Sequence, residues 1–522
     1  MTPTPVSVKI NEFELNGFVS PQGVANFLNV PYASVPARFR QAIPLDPRKQ
    51  SGVHDATKYG ARAPQVPNDG DKLRSHLNKG IADPSSYPVS EFDGLRLNIY
   101  TPLDAISSKK ELPIFVWIHG GGWTLGDANG AYNANNLVEH SIKIGKLFIY
   151  VAIGFRLGYA GFLTSRELQE EAHANGEVGY ANQGLHDQRL GLQWIQNNIS
   201  SFGGNGQQIT IAGESSGAWS VVAHLRSKVA VTQQAFVLSH PVRILVSQEE
   251  SQATFDRLVA STGVAASATA AGKLAALRKL TNEQLASLLQ GPFAFPIADK
   301  NWFGDDSTSP IEQRGPFPEW AKNILVGYTK DEIALFGLAW TEKSLEEIEG
   351  AFKKITDQSY AEEIKEAYGI SGDATSARNG VLQYISDIEF ARAPFYLEDN
   401  AAGKTPVAIY RFDQPDTFPN SVFKGYAFHS LDSAFFNRLP AVAGPDAPAE
   451  LRKTADQITG ITAEFVAVKL PWEEYRVNKK ITLLGGPTPG FGYSPVADVE
   501  KWRKLTNTLE RLKKFSMSAS EL

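Results

Sequence analysis

The segment Gly213-Glu214-Ser215-Ser216-Gly217 sets a serine between glycines, after a strand-forming run (residues 208–212) and before a helix-compatible one (residues 218–225). In that context Gly-x-Ser-x-Gly is a strand-to-helix turn. It is so tight that flanking side chains would clash, and the middle serine is held out at its tip. A serine hydroxyl is a poor nucleophile at neutral pH. Exposing it serves chemistry only if a base and a pocket for negative charge stand nearby. The pentapeptide alone is a weak signal, since an ordinary Ser/Gly turn matches it too. Its strand and helix flanks are what raise it above that reading.

A second element, His119-Gly120-Gly121-Gly122-Trp123, directly follows another strand-forming run, residues 112–118. Acyl transfer builds negative charge on a carbonyl oxygen, and backbone N–H groups aimed into empty space can hold it. Glycines let the backbone come that close. The expected donors are the N–H groups of Gly121, Gly122 and Ser216, the last being the residue after the nucleophile. On such elbows the acid and then the histidine follow the serine in chain order. Three of the nine histidines follow Ser215. His224 lies on the helix leaving the elbow, facing away from the site. His240 is too close in sequence to follow an acid-bearing strand. His429 stands alone in the C-terminal half and is the candidate base. Candidate acids are Asp331 and Glu332 after residues 324–328, and Asp413 and Asp416 after residues 406–412. Pattern leaves all four open.

These groups need a frame. Strand-forming runs at 112–118, 146–153, 208–212, 324–328 and 406–412 do not alternate polar and apolar, as expected for strands buried on both faces. Helical pattern covers 187–198, 252–262, 270–290, 345–368 and 499–515. Strands alternating with helices predict an α/β fold with a large, mostly parallel central sheet and helices on both faces. Residues 62–90 read as a long surface loop and 263–272 as an interhelical connection. No repeat or linker divides the chain, so residues 1–522 are expected to form one domain with an elaborated cap.

Composition narrows the function classes. Of 522 residues 42% are hydrophobic, and 51 basic residues against 56 acidic ones leave a net charge of -5 without a basic stripe. Neither a nucleic-acid partner nor a polybasic membrane contact is expected. There is no cysteine, so disulfides, thiolate metal sites and a catalytic thiol are excluded. The first residues lack the pattern of a secretory signal, and no apolar run approaches the length of a membrane span. A cytoplasmic protein is expected.

Longer stretches carry a resemblance. Gly184-Leu185-His186-Asp187-Gln188-Arg189-Leu190-Gly191-Leu192-Gln193-Trp194 through Ile199, followed by Phe202-Gly203-Gly204-Asn205, resembles the pre-elbow signature of the type-B carboxylesterase/lipase family. These are relatives of the cholinesterases within the α/β-hydrolase fold. Asn29-Val30-Pro31-Tyr32-Ala33 with Arg38-Phe39, Leu97-Asn98-Ile99-Tyr100-Thr101-Pro102 and Tyr159-Ala160-Gly161-Phe162-Leu163 match as well. The resemblance spans roughly residues 10–515. It implies that the acid is Glu332, within Lys330-Asp331-Glu332, and that Asp432 is the acid usually found three residues after the histidine. It also implies a Ser215–Glu332–His429 triad, an oxyanion hole of Gly121, Gly122 and Ser216, no metal or cofactor, and a small-molecule ester as substrate.

The departures matter too. Disulfide-bearing members have a cysteine where this chain has Gly94, and its partner in the preceding loop is missing, so the loop of residues 64–93 is expected to be mobile or packed differently. Arg38 faces Phe92 or a shifted Glu91, which puts the family's Arg–Glu pair in question. That loop also lacks a tryptophan, against a cation–π site for choline esters. Ser216 replaces the commoner alanine. Trp123, Trp219, Phe336 and Phe428 are candidate pocket residues, with Trp302, Phe303, Phe435 and Phe436 near them. Together they favour an apolar or aromatic acyl or alcohol group. The resemblance reaches fungal type-B esterases and suggests a xenobiotic or secondary-metabolite ester. Two rival readings remain: the same triad used for transacylation, lactone or thioester chemistry, and a non-catalytic binding or adhesion relative.

Overall fold

In the computed structural model, which describes residues 4–65, 73–227, 229–243, 245–289, 294–304, 310–506 and 511, one sheet organises the chain. Its strands are β1 (Thr4–Ile10), β2 (Phe13–Val19), β3 (Val24–Pro31), β4 (Gly52–Asp55), β5 (Arg96–Pro102), β6 (Leu112–Ile118), β7 (Ile149–Ile153), β8 (Gly204–Glu214), β9 (Gln234–Leu238), β10 (Asn323–Thr329), β11 (Val407–Phe412), β12 (Ile481–Leu484) and β13 (Gly490–Tyr493). The order is β1-β2-β3-β5-β7-β6-β8-β9-β10-β11-β12-β13, with β4 paired to β2. From β7 to β12 all neighbours are parallel. The β1–β5 side is antiparallel apart from β4, and β13 closes the other edge antiparallel.

The parallel strands read as unbroken apolar runs because both faces are covered. In β6, Ile114, Val116 and Ile118 join one core cluster, while Phe115 and Trp117 join the other. Successive side chains alternate across a sheet, and here each side meets helices. The first cluster is capped by α2 (Gln183–Asn198) and α3 (Ser216–Arg226). The second is capped by α1 (Asn135–Lys143), α4 (Leu431–Phe436) and α5 (Ala449–Val466).

Two expected helices are each divided. Residues 270–290 form Ala270–Arg278 and Asn282–Ser287, because the Thr281 hydroxyl accepts the Gln284 N–H and starts a new helix. Residues 345–368 break before Asp357, which accepts the Tyr360 N–H. Such side chains compete with the helical ladder and favour caps. The last expected helix is Val496–Leu505, and most of its expected continuation to 515 lies outside the described residues, as do position 290 and part of the 64–93 loop. Among the described residues no helix is long and apolar enough to cross a membrane.

Candidate active site

Four chain segments meet at the C-terminal ends of the parallel strands, the usual place for a site in such sheets. β8 ends at Glu214 and α3 starts at Ser216, so Ser215 alone makes the turn, with φ 57° and ψ -125°. Few L side chains adopt that conformation, and strain of this kind persists only where its surroundings enforce it. The enforcement comes from close packing. A Cβ on Gly217 would lie 2.1 Å from the Ile118 carbonyl oxygen, so the elbow can press against β6 only with glycine there. Ser215 is half-buried, whereas its neighbours from Ile211 to Glu214 and Ser216 to Ser220 are buried. The serine is thus the part of the turn that reaches solvent.

The loop after β6 lies beside the elbow. Gly121 (φ 107°) and Gly122 (φ 61°) are left-handed, and Trp123 follows at φ 59°. Their carbonyls are turned into the protein: Gly121 accepts the Thr124 and Leu125 N–H groups, Gly122 that of Ala294 and Trp123 that of Gly158. The N–H groups of Gly121, Gly122 and Ser216 donate to nothing among the described residues. Backbone N–H groups in and around a folded core are rarely left unpaired, so these three are open to an acceptor from outside the chain.

His429 sits after β11, at 2% exposure, with its Nδ1 2.6 Å from Glu332 Oε2. Glu332 follows β10 and is fully buried, and its Oε1 accepts the Thr329 N–H at 2.7 Å. The other candidate acids are engaged elsewhere. Asp331 accepts the Ala427 N–H, Asp413 pairs with Arg411, and Asp416 lies 3.0 Å from His76 and accepts from Ser421. His224 is buried at 3.0 Å from Gln188 Oε1, and His240 at 3.3 Å from Glu312. Neither reaches the site.

The imidazole's other nitrogen, Nε2, lies 3.0 Å from Glu214 Oε1 and makes no hydrogen bond to Ser215. This carboxylate sits one residue before Ser215, and nothing in the sequence pattern marks it for contact with His429. Burial alone would depress the His429 pKa, but the Glu214 and Glu332 carboxylates outweigh it and hold the pKa above the ordinary histidine value. Burial raises the Glu214 pKa despite the nearby His429 and Arg74 charges. Asp432 is pushed up to about 8, by burial first and then by the Glu214 and Glu332 charges. It accepts the Tyr410 hydroxyl at 3.1 Å.

The aromatic candidates divide by exposure. Phe336 is 49% exposed, with its ring centroid 5.1 Å from that of His429. Trp219 and Phe428 have no exposed surface, so they are packing residues rather than pocket lining. Trp219 abuts Trp123 edge-on at 5.5 Å, and Phe428 lies 4.5 Å from Phe423. Trp123, at 2% exposure, packs behind the glycine loop. Phe435 and Phe436 are also core. Sequence reading passed over Phe390, whose ring centroid is 4.5 Å from that of His429 and which lies nearly parallel to Phe336. It is carried by a single π-helical turn, Asp387–Ala391, for which periodicity offers no signal.

The cysteine-free loop is tied down by polar contacts. Gln65 exchanges two hydrogen bonds with the Gly126 backbone, and Arg74 Nη1 donates to Ser430 Oγ at 2.7 Å, next to His429. Leu77 is buried, and Arg38 pairs with Glu91 at 2.6 Å in the interior. The Arg–Glu pair that the sequence put in question is therefore made, by Glu91, while Phe92 turns outward at 48% exposure.

Comparison with known proteins finds relatives for the chain. Residues 5–511 match the model of a family described as the carboxylesterase family. The chain is 27% identical over 488 residues to the para-nitrobenzyl esterase of Bacillus subtilis (strain 168), covering 88% of this chain and 91% of that one. It is 30% identical to the phenmedipham hydrolase of Pseudarthrobacter oxydans, covering 75% of each. A lipase 5 from Diutina rugosa is 32% identical over 284 residues, 50% of this chain and 48% of its own.

Proposed function

The chain belongs to the carboxylesterase family and is a serine hydrolase of carboxylic esters, and from that premise we propose that Ser215, His429 and Glu332 are its nucleophile, base and acid. The observation that carries this assignment is the 2.6 Å contact of His429 Nδ1 with the buried Glu332 carboxylate, reached from an elbow that holds Ser215 outward. Ser215 Oγ attacks the acyl carbon as His429 Nε2 takes its proton. Negative charge moves to the carbonyl oxygen, which the N–H groups of Gly121, Gly122 and Ser216 receive. The intermediate collapses, and Nε2 returns the proton to the departing alcohol. Water then repeats the sequence on the acyl-enzyme and releases the acid. Glu332 orients the ring and stabilises the imidazolium.

The resting position of Nε2 beside Glu214 is that of an imidazolium between two carboxylates. Loss of its proton weakens the hold of Glu214 and frees Nε2 for Ser215. The elevated pKa therefore makes activity rise with pH along a limb centred above the ordinary histidine value. Phe336, half-exposed above His429 with Phe390 behind it, offers an apolar face to an aromatic or apolar substrate group. That preference fits the nitrobenzyl group named in the relative that covers most of the chain. No group in the assignment requires a metal or cofactor.

The test is labelling with a fluorophosphonate followed by peptide mass mapping. One adduct is expected, on Ser215, and it should vanish in Ser215→Ala together with p-nitrophenyl ester turnover. Label on another residue, or full turnover in Ser215→Ala, would refute the assignment.

A further inference from the structure

On the reading that the glycine triplet is the oxyanion hole, we infer that Ser216 and Ser220 are positioning residues that hold it in shape by gripping Trp123 from one face of α3. Trp123 has φ 59°. A left-handed conformation is unfavourable for an L residue with a side chain, and it persists only where neighbours over-determine it. The setting matters because Trp123 directly follows Gly121 and Gly122. The Gly122–Trp123 peptide carries the Gly122 carbonyl and the Trp123 N–H, so pinning Trp123 anchors the end of the loop whose two preceding peptides carry the Gly121 and Gly122 N–H groups.

The restraints are visible. The Trp123 backbone N–H donates to Ser216 Oγ at 3.3 Å, and its indole Nε1–H donates to Ser220 Oγ at 3.4 Å. Residues four apart on a helix share a face, so both hydroxyls approach from one rigid element. Ser220 is itself locked: it donates to the Ser216 carbonyl at 2.9 Å and accepts Gln188 Nε2 at 3.4 Å. A hydroxyl has one donor and two acceptor sites, so Ser220 is saturated. Gln188 Oε1 in turn meets His224 Nε2 at 3.0 Å, anchoring the chain of contacts to α2. The indole is wedged edge-on against Trp219, Phe162 and Phe295.

The bonds to Trp123 are at the long end of the range and neither is strong alone. Their effect lies in direction: one fixes the backbone of Trp123, the other its ring. The same arrangement gives Ser216 two tasks. Its N–H is one of the three donors, and its hydroxyl ties that donor to the loop carrying the other two. Alanine at 216 would keep the N–H and lose the tie, leaving the Trp123 N–H without its partner.

The experiment compares wild type, Ser216→Ala, Ser216→Thr, Ser220→Ala and the double alanine variant. It reads kcat and KM for p-nitrophenyl acetate and inhibition by a trifluoromethyl ketone, whose adduct places an oxyanion in the hole. Active sites are counted by fluorophosphonate titration, so that loss of folded protein is not mistaken for loss of rate. Removing an oxyanion donor outright costs about a hundredfold or more in kcat, so misaiming donors that remain should cost about tenfold. Ser216→Ala is expected to lose about tenfold in kcat per titrated site, with KM changed less than about twofold and ketone affinity weakened in parallel. Ser216→Thr should recover most of both. Wild-type kcat and ketone affinity in Ser216→Ala would overturn the inference, as would a lowered melting temperature with both unchanged per active site. A wild-type enzyme that neither labels at Ser215 nor turns over ester would instead bring down the site assignment beneath it.

Discussion

Glu214→Gln should move the acid limb of the pH–rate profile to lower pH. Glu214 Oε1 stands 3.0 Å from His429 Nε2, with both side chains buried. At an effective dielectric constant of about 20, unit charges at that distance attract by ~5.5 kcal/mol, an upper bound reached only if Glu214 stayed fully ionised. It does not stay so. Burial raises its own pKa, and as the imidazole is titrated the pair shares protons. The limb is therefore expected to move down by less than that bound allows, the direction being fixed by the lost carboxylate charge. Glutamine keeps the side-chain volume and an acceptor oxygen, so the high-pH plateau should stay within about tenfold of wild type. The assay is kcat/KM for a p-nitrophenyl ester between about pH 5 and pH 9, which reports the free enzyme. If the two acid limbs coincide, Glu214 does not set the state of the base, and the account of the resting imidazolium is wrong.

Other perturbations separate the remaining parts of the site. In Gly121→Ala the new Cβ would fall 2.3 Å from the Leu125 carbonyl oxygen at φ 107°, so the loop must shift; kcat should fall about a hundredfold or more with KM much less affected. Phe336→Ala removes a half-exposed ring and should change stability by less than about 1 kcal/mol, while raising KM for aromatic esters several-fold relative to acetates of small alcohols. Matched ester panels and thermal melts would show both. Asp432 has a folded-state pKa of about 8, above its unfolded value. From the ordinary carboxylate range up to that pH the native protein holds a proton that the unfolded chain has released, so stability falls as pH rises across this window. Asp432→Asn mimics the neutral acid. It should flatten that slope in melting temperature against pH.

The sequence signals that were legible are local ones. The elbow and the glycine triplet depend on residues adjacent in the chain, whose conformations follow from the small size of glycine. Five of the parallel strands, β6, β7, β8, β10 and β11, were legible for a similar reason, because burial on both faces leaves uninterrupted apolar runs, whereas the short strands β9 and β12 were passed over. The antiparallel strands β1–β3 and β5 went unmarked: β1 and β2 mix buried and exposed residues, and β3 and β5, though buried, are interrupted by polar residues such as Asn26 and Asn98. The helix breaks at Thr281 and Asp357 were missed because amphipathic pattern continues across them, while the caps that end the ladder are single side chains.

Sequence order and histidine count were enough to select His429, and the family resemblance, not pattern, singled out Glu332 among four acids. Tertiary structure decided what no spacing records. Glu214 adjoins Ser215 in the chain, yet its weight comes from lying 3.0 Å from a ring more than two hundred residues away. Phe390 reaches that ring from a π-helical turn. Trp219 and Phe428, equally suggestive as aromatic residues beside motifs, are sealed in the core. Arg38 and Glu91 pair although the pattern around Gly94 put that pair in question, and Gln65, Arg74 and Leu77 hold the described parts of the neighbouring loop. Local conformation is encoded by neighbours along the chain, whereas electrostatic state and access depend on which distant segments share a few ångströms of low-dielectric space.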